Sequence, residues 1–316
     1  MGSPTKVVVL AGGFGGARMA HGFALLGDAV ELTVVVNTGD DLELHGLAIS
    51  PDLDTVMYTL SGLANAETGW GVRDETWSAS EMLERYGQPT WFKLGDRDLA
   101  THIARTAALR DGERLTQVTA DLASRLGITA TLLPMTDDRV RTKIRTESGW
   151  IDFQDYFVRR AHTDGVLEVA FEGAAEARPS AEVLEALGSA ALVVIAPSNP
   201  FVSVAPILAL SGTVEAIKRG AARVVAVSPI VGGAALRGPA AHMLSTLEDL
   251  PKSSVGIARH YAAGYPGLVE TLVIDEADAA LAPEIERSGI RPLVTNTLIA
   301  AADLRRRLAD ELLSLG

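Results

Sequence analysis

Two short apolar runs near the N-terminus each end in a glycine-containing loop, and this pattern restricts the possible folds most. Residues 7–10 (Val-Val-Val-Leu) open onto residues 12–16 (Gly-Gly-Phe-Gly-Gly), and residues 32–36 open onto residues 37–41 (Asn-Thr-Gly-Asp-Asp). Runs rich in β-branched residues and bounded by glycine predict buried strands. In an open parallel sheet ligands bind at the carboxyl ends of the strands, so both loops are expected at a binding edge.

Strand-like runs recur along the chain and alternate with segments of helical periodicity. Further strands are predicted over residues 130–133, 192–196, 224–227 and 272–274. Helices are predicted over residues 19–26, 100–109, 119–126, 181–187, 204–219 and 297–315. Such alternation predicts an α/β fold of three layers, with a mostly parallel sheet covered by helices on both faces.

One stretch has a different pattern. Residues 140–146 alternate as an exposed strand does, residues 147–149 can turn, and residues 150–153 can return as a second strand. This pattern predicts a hairpin. We therefore expect one domain over residues 1–316, with its core at about residues 5–59 and 176–316. A helical and hairpin region is expected as an insertion at about residues 60–175.

Composition excludes several classes of protein. The 316 residues carry a formal net charge of −12, which disfavours binding to nucleic acid or to an anionic membrane. No run of 18 apolar residues predicts a membrane span, and the N-terminus has no signal-peptide pattern. The chain has no cysteine, so a thiolate zinc site and a cysteine nucleophile are excluded. The cytoplasm is the expected compartment.

The glycine loop after the first strand is a predicted phosphate-binding element. Glycine lets backbone N–H groups approach an anion, and the N-terminus of the following helix favours negative charge. The loop lacks the Gly-Lys-Ser/Thr ending of a Walker loop and the GxGxxG pattern of a dinucleotide fingerprint. The alternative is a turn that serves only the packing of strand on helix.

Carboxylates follow the second strand and recur shortly afterwards. Asp40 and Asp41 end the loop, and Asp52 and Asp54 follow Pro51 in a segment that resembles a helix start. Asp often caps a helix, so Asp52 is expected as the cap and Asp54 as the freer carboxylate. Carboxylates beside a phosphate site suit Mg²⁺. The alternative is that these groups only cap helices.

Other strand ends supply polar and aromatic groups. Residues 197–200 (Pro-Ser-Asn-Pro) and 228–231 (Ser-Pro-Ile-Val) follow buried-looking runs, and Trp91 with Phe92 precedes an acidic and basic segment. The six histidines form no metal-spaced pair, and no Ser-His-Asp set is evident. Hydrolase and zinc chemistry are therefore disfavoured.

Several of these segments together resemble the 2-phospho-L-lactate transferase family. The similarity extends from about residue 6 to the end of the chain. The segments that carry it are residues 12–16, 37–41, 51–55 (Pro-Asp-Leu-Asp-Thr), 93–98 (Lys-Leu-Gly-Asp-Arg-Asp), 153–158 (Phe-Gln-Asp-Tyr-Phe-Val), 197–200 and 228–231.

The resemblance implies a Rossmann-like core, a homodimer and a step in the biosynthesis of the deazaflavin coenzyme F-420. Family members transfer a phospho-acid unit from a guanosine-diphosphate-activated donor to the terminal ribityl hydroxyl of the deazaflavin Fo. GMP leaves, and Mg²⁺ is required. The acid is lactate, which gives F-420-0, or enolpyruvate in actinobacterial members, which gives the dehydro product. Only five of the 28 basic residues are lysine, a bias typical of GC-rich genomes that favours enolpyruvate.

The two lines of reasoning together assign roles. Asp40 and Asp54 are expected to act in catalysis and to hold Mg²⁺, with Asp41 in support. Binding of the phosphate, the nucleotide, the ribityl chain or the flat deazaflavin ring is expected from Gly12, Gly13, Gly15, Thr55, Tyr58, Trp91, Phe92, Ser198, Asn199 and Ser228.

Two alternatives remain from the sequence. One is a related glycine-loop protein that binds UDP-N-acetylglucosamine and regulates wall synthesis, but it would lack segments 93–98 and 153–158. The other is a non-catalytic dinucleotide-binding regulator. No acidic residue sits cleanly at the end of a ribose-reading second strand, which disfavours the regulator.

Overall fold

The computed structural model describes residues 3–65, 67–220, 222–235 and 238–315. Its strands, in chain order, are β1 (Thr5–Ala11), β2 (Val30–Val36), β3 (Leu42–Leu44), β4 (Leu47–Ile49), β5 (Thr131–Pro134), β6 (Arg141–Thr146), β7 (Gly149–Asp152), β8 (Glu168–Glu172), β9 (Leu192–Ile195), β10 (Arg223–Val227), β11 (Ile230–Val231), β12 (Ala234–Ala235), β13 (Thr271–Asp275) and β14 (Arg291–Thr295).

Helices cover the sheet and form the region between its two halves. They are α1 (Gly13–Ala24), α2 (Pro51–Leu60), α3 (Ser78–Arg85), α4 (Asp96–Arg110), α5 (Leu115–Arg125), α6 (Ala181–Ser189), α7 (Ala205–Leu208), α8 (Thr213–Arg219), α9 (Ala240–Glu248), α10 (Ser254–Gly264), α11 (Ala282–Glu286) and α12 (Ala302–Leu313). Short 3₁₀ or π turns lie at Gly27–Ala29, Asp155–Arg159, Pro200–Val204 and Glu276–Leu281.

The central sheet has seven strands in the order β14-β13-β10-β9-β1-β2-β5, and every neighbouring pair is parallel. From β1 the chain runs outward through β2 to β5, and it then returns to β9 on the other side of β1. The direction of winding therefore reverses between β1 and β9. A crevice forms at such a switch point, outside the carboxyl ends of the strands.

Alternate residues of the central strands pack into two separate apolar layers, one on each face of the sheet. On β1, Val8 and Leu10 face one layer, whereas Val7 and Val9 face the other. Helix α1 adds its buried Phe23 to the second layer. Strands covered on both faces are continuous apolar runs, which is why β1, β2 and β9 are evident in the sequence. The predicted three-layer, Rossmann-like α/β fold is confirmed.

Three differences between the predicted and the observed elements lie in the central sheet and in the helices that cover it. Strand β14 was not predicted, because Pro292 and exposed positions interrupt its apolar pattern, as is allowed on an edge strand. The helix predicted over residues 204–219 is broken into α7 and α8, since Gly212 adopts a left-handed φ of 98° before α8. Helix α1 begins at Gly13, earlier than residue 19 as predicted, so the glycines form its first turn.

The region predicted as one insertion over residues 60–175 divides into two parts. Strand β5 lies within this range and pairs with β2 in the central sheet. Helices α3 to α5 precede β5, and the predicted hairpin follows it as the antiparallel pair of β6 and β7. Strand β8, which was not predicted, pairs with the other side of β6. The hairpin is therefore the centre of a three-stranded sheet.

In the part of the chain that the structure describes, no single helix has the length and apolar character to cross a membrane. Among the described residues, one helix pair, Pro200–Leu208 with Thr213–Arg219, has the required length and apolar character when the two helices are taken together, but the pair is bent by 75°.

Candidate functional site

The loops at the switch point bring together most of the predicted site residues. The glycine loop follows β1, the loop of residues 37–41 follows β2, and residues 197–200 follow β9. The backbone N–H of Asn37 donates to the Ala11 carbonyl at 2.9 Å, which holds the first two loops side by side. The crevice at the switch point is therefore lined by both predicted binding loops.

Close packing explains one glycine of the loop. A Cβ built on Gly15 would overlap the carbonyl oxygen of Pro197, which is backbone and cannot move aside as a side chain does. Ser198 Oγ donates to the Gly12 carbonyl at 2.8 Å across the same contact. The absence of a side chain at residue 15 thus sets how closely the loop after β9 approaches the loop after β1.

Gly15→Ala is expected to destabilise the fold by about 1–3 kcal/mol, because the added methyl group forces two backbone segments apart. The free energy of unfolding from urea titration measures the effect. Gly165→Ala is the matched control, since a Cβ at that residue would meet no atom within 4 Å. Equal stability of the two variants would show that the contact with Pro197 imposes no constraint.

Four buried or half-buried aspartates form what we call the carboxylate cluster: Asp40, Asp41, Asp52 and Asp54. Asp40 is 4% exposed, and its Oδ1 atom is buried without a hydrogen-bond partner. The Oδ1 atom of Asp41 is also buried without a partner, although its Oδ2 accepts from Ser50 Oγ at 2.8 Å. Two buried oxygen acceptors are therefore available in the cluster.

The electrostatics of the cluster favour an added positive charge. Burial, and then the charge of Asp52, raise the pKa of Asp40 well above its ordinary value. Burial raises the pKa of Asp41 to about 7 against the opposing charge of Arg141, and it raises the pKa of Asp52 to about 6. Desolvation disfavours each carboxylate anion, so a bound cation would stabilise the ionised forms.

Asp52 joins the two binding loops. Its Oδ2 accepts from Asn37 Nδ2 at 3.0 Å, and the backbone N–H of Gly13 also donates to its carboxylate. Helix α2 begins at Pro51 as predicted, but its N-cap is Ser50, which makes no side-chain cap bond. The prediction of Asp52 as the helix cap is therefore wrong. Asp52 faces the glycine loop.

Asp54 is not the freer carboxylate that the sequence predicts. Its two oxygens accept from the guanidinium of Arg105 on α4, one of them at 3.2 Å from Nη1. Arg105 is 1% exposed, and His102 of the same helix lies with Nδ1 at 3.6 Å from Asp54 Oδ2. Neither Arg105 nor His102 was predicted. Their side of α4 gives no signal in the sequence beyond helical spacing.

The three-stranded sheet contributes to the cluster through the loop that carries Asp40. The backbone N–H of Thr142 on β6 donates to the Gly39 carbonyl at 2.7 Å. Gln154 Nε2 donates to the Asp40 carbonyl at 3.0 Å. Gln154 belongs to segment 153–158, which the resemblance includes but to which no role was assigned. These two bonds fix the backbone that presents Asp40.

Polar groups from β9 and β10 have internal partners. Asn199 Oδ1 accepts from the backbone N–H of Phe201 at 2.9 Å and caps the turn after β9. Ser228 Oγ lies 3.0 Å from Ser254 Oγ, and Ser254 Oγ donates to Asp278 Oδ2 at 3.1 Å. Asn199 and Ser228 therefore shape the loops in this structure, and a ligand-binding role for each stays a prediction.

The three aromatic residues predicted to bind a ligand have different environments. Trp91 and Phe92 form an edge-to-face pair with 5.8 Å between ring centroids, and both are half-buried just before α4. Tyr58 is 2% exposed and packs in an apolar layer, with its hydroxyl donating to Asp98 Oδ1 at 2.7 Å. The burial of Tyr58 contradicts the prediction that its ring packs against a ligand. Thr55 lies half-buried on α2.

A second aromatic pair was not predicted. Trp70 and Trp77 form an edge-to-face pair with 6.4 Å between centroids, and they are 46% and 37% exposed. Both line a small cavity together with Gly95 and Asp98. The two tryptophans lie in a segment without regular periodicity, so only their residue type was available as a signal.

This arrangement defines a class of protein: a Rossmann-like α/β protein with an acidic, cation-compatible site beside a glycine loop. Comparison with known families matches residues 7–305 to the family described as 2-phospho-L-lactate transferase CofD. The chain belongs to this family, and the expectation from the sequence is confirmed.

Relatives of known name are similar over their whole length. A protein of Streptomyces griseus named phosphoenolpyruvate transferase is 44% identical over 97% of this chain and 99% of its own. A 2-phospho-L-lactate transferase of Methanosarcina acetivorans is 40% identical over 98% of both chains. A solved structure of a UPF0052-family protein from Bacillus halodurans has a TM-score of 0.68 at 15% identity, covering 99% of this chain and 100% of that one. The solved structure supports the fold alone.

Proposed function

We propose that this chain transfers a phosphoenolpyruvyl group from a guanosine-diphosphate-activated donor to the terminal ribityl hydroxyl of Fo. GMP is the second product, and the phosphodiester is the dehydro form of coenzyme F-420-0. The observation that carries the proposal is the buried carboxylate cluster beside the glycine loop, in a chain of the 2-phospho-L-lactate transferase family. Both loops lie at the switch point, where α/β proteins bind nucleotides.

Mg²⁺ fits the cluster through Asp40 and Asp52. Asp40 has a buried oxygen without a hydrogen-bond partner, and Asp52 is near enough for its charge to raise the pKa of Asp40. The sequence predicts Asp54 as the second ligand, but Asp52 takes that role in this proposal because the oxygens of Asp54 bind Arg105. When bound, Mg²⁺ would neutralise charge on the donor diphosphate.

The residues of the chain act mainly by positioning and by accepting a proton. The ribityl oxygen forms a bond to the phosphorus of the phospho-acid unit, and the bond from that phosphorus to the GMP oxygen breaks. The hydroxyl proton passes to the Asp40 carboxylate, at the oxygen that does not hold the cation. Gly12, Gly13 and Gly15 approach the diphosphate, and the first turn of α1 contains no acidic residue that would repel it.

The choice of enolpyruvate as the acid rests on two observations. Arginine outnumbers lysine strongly, with only five lysines among 28 basic residues. The Streptomyces griseus relative, at 44% identity, is named for phosphoenolpyruvate, and the Methanosarcina acetivorans relative, at 40%, is named for 2-phospho-L-lactate. The lactyl donor is therefore tested alongside the enolpyruvyl donor.

The deciding experiment is a mass-spectrometric assay with Fo, Mg²⁺ and each guanylylated donor offered separately. An Fo phosphodiester together with GMP supports the transferase, and the faster donor identifies the acid. No product from either donor, with folded protein and no binding of Fo, would favour a nucleotide-binding regulator. The predicted homodimer is checked on the same preparation by light scattering after size exclusion.

Trp91→Ala is expected to raise the KM for Fo up to about tenfold, since contact between aromatic rings contributes roughly 1–1.5 kcal/mol. Steady-state kinetics at saturating donor measures the change. Trp77→Ala is compared in parallel, because Trp77 belongs to the second exposed pair. Tyr86→Ala is the control, since Tyr86 is 70% exposed and lies outside both pairs. An effect at Trp77 alone would move the ring site to the second pair.

A further inference from the structure

Beside the proposed magnesium site, three buried side chains form a second set of potential metal ligands. Asp54, Asp98 and His102 each offer one ligand atom, and these atoms lie within 4.8 Å of one another. Two carboxylates and an imidazole are a common donor set for divalent transition metals. All three residues are at most 8% exposed. The chemistry of this set alone would predict a second cation.

Arg105 already supplies a positive charge to this set. Its Nη1 and Nη2 atoms bind both oxygens of Asp54, and Nη1 also lies 3.3 Å from His102 Nδ1. A guanidinium carries no lone pair, so His102 Nδ1 must be the acceptor in this contact. The lone pairs that a metal would take from Asp54 and His102 are therefore directed at Arg105.

The other nitrogen of His102 faces Asp98. With Nδ1 as an acceptor, neutral His102 carries its proton on Nε2, which lies 3.3 Å from Asp98 Oδ1. The same Asp98 oxygen accepts from the Tyr58 hydroxyl at 2.7 Å. The five side chains form one buried array, and a cation bound to Asp54 and to His102 Nδ1 would have to displace Arg105.

Helical spacing makes the array rigid. Asp98, His102 and Arg105 are spaced by four and three residues on α4, which places them on one face of that helix. Asp54 and Tyr58 are four residues apart on α2 and face the same way. Side chains of α4 and α2 thus bring the guanidinium to Asp54.

We propose that Arg105 takes the place of a second divalent cation, so that each chain binds one ion, at Asp40 and Asp52. Arg105 is a positioning residue, because its guanidinium balances the charge of Asp54. The inference rests on the proposed function for the first ion. The position of a second cation is then occupied by the Arg105 side chain, which is fixed in place and cannot move with a reacting phosphate as a metal ion can.

The test is the number of Co²⁺ ions bound per full-length chain, measured by equilibrium dialysis and by visible absorption. We expect one ion on the wild type and an unchanged count in His102→Gln. Arg105→Ala should bind two, and the second ion should be lost in Arg105→Ala/His102→Gln. Arg259→Ala, which removes an exposed partner of Glu284, is the control and should bind one.

Each other outcome is decisive. Two ions on the wild type, one of them lost in His102→Gln, would overturn the inference, and so would one ion on a folded Arg105→Ala variant. If Arg105→Ala folds poorly, Co²⁺ should raise its melting temperature more than that of Arg105→Ala/His102→Gln, and an equal rise overturns the inference. No ion on the wild type contradicts the proposed magnesium site as well, whereas a second ion at His102 leaves the proposed transferase intact.

Discussion

Replacing Asp40 with asparagine is expected to lower kcat by about 10²–10³-fold, which is the loss typical when one electrostatic contact to the reacting centre is removed. The fold should remain intact. Asp40 is buried close to Asp52, and the repulsion between the two carboxylates disappears when one becomes an amide. Kinetics at saturating Fo and donor, together with thermal unfolding, measure the two effects on the same protein.

The control for this variant is Asp28→Asn, which changes an exposed carboxylate in the 3₁₀ turn after α1. Asp52→Asn and Asp54→Asn separate the roles within the carboxylate cluster. Asp52→Asn should raise the Mg²⁺ concentration needed for half-maximal turnover. Asp54→Asn should lower stability, because it leaves Arg105 without its buried anion. Wild-type kcat in Asp40→Asn would remove Asp40 from the mechanism.

The largest expected effect on stability comes from Arg105→Ala, which should lower the free energy of unfolding by about 3–5 kcal/mol. The variant leaves Asp54 charged and buried, without the guanidinium that binds both of its oxygens. It also removes the donor to His102 Nδ1. Urea unfolding in the absence of divalent metal measures the loss, since an added metal could replace the missing charge.

Arg259→Ala provides a comparison of the same chemistry at the surface. The pair of Arg259 and Glu284 has side chains that are 48% and 37% exposed, so its loss should cost at most about 1 kcal/mol. The double variant Asp54→Ala/Arg105→Ala completes a cycle, and a coupling energy of at least about 1 kcal/mol is expected for contacting residues. An equal decrease in the free energy of unfolding in Arg105→Ala and Arg259→Ala would show that the buried ion pair stabilises the fold no more than the exposed one does.

The sequence was sufficient for six of the seven strands of the central sheet, because their apolar runs are buried. β-branched runs such as residues 7–10 predict buried strands. The geometry of parallel strands then places the loops after them at the binding edge of the sheet. The edge of the sheet was harder. In β14, Pro292 and two exposed positions remove the apolar pattern, although the strand still pairs with β13. Edge strands tolerate such residues because one side of the ladder is free.

The sequence indicates the candidate site residues that lie on loops, whereas it does not indicate those that tertiary packing buries between helices. Asp40 and Asp41 were evident from their position after β2. Arg105 was not, because an arginine within a helix is exposed in most proteins, whereas here it is buried together with Asp54 of α2. The same contact reverses the predicted roles of Asp52 and Asp54.

The reversal of winding between β1 and β9 divides the crevice between two stretches of chain. The carboxylate cluster, Arg105 and Gln154 all come from residues before 160, whereas Ser198, Asn199 and Ser228 come from residues after 190. Loops carried by separate strands can accept substitutions independently over evolution, because the sheet between them keeps its shape. This architecture offers a physical route by which one family could diverge in its choice of substrate while keeping the same half of the crevice with its carboxylates.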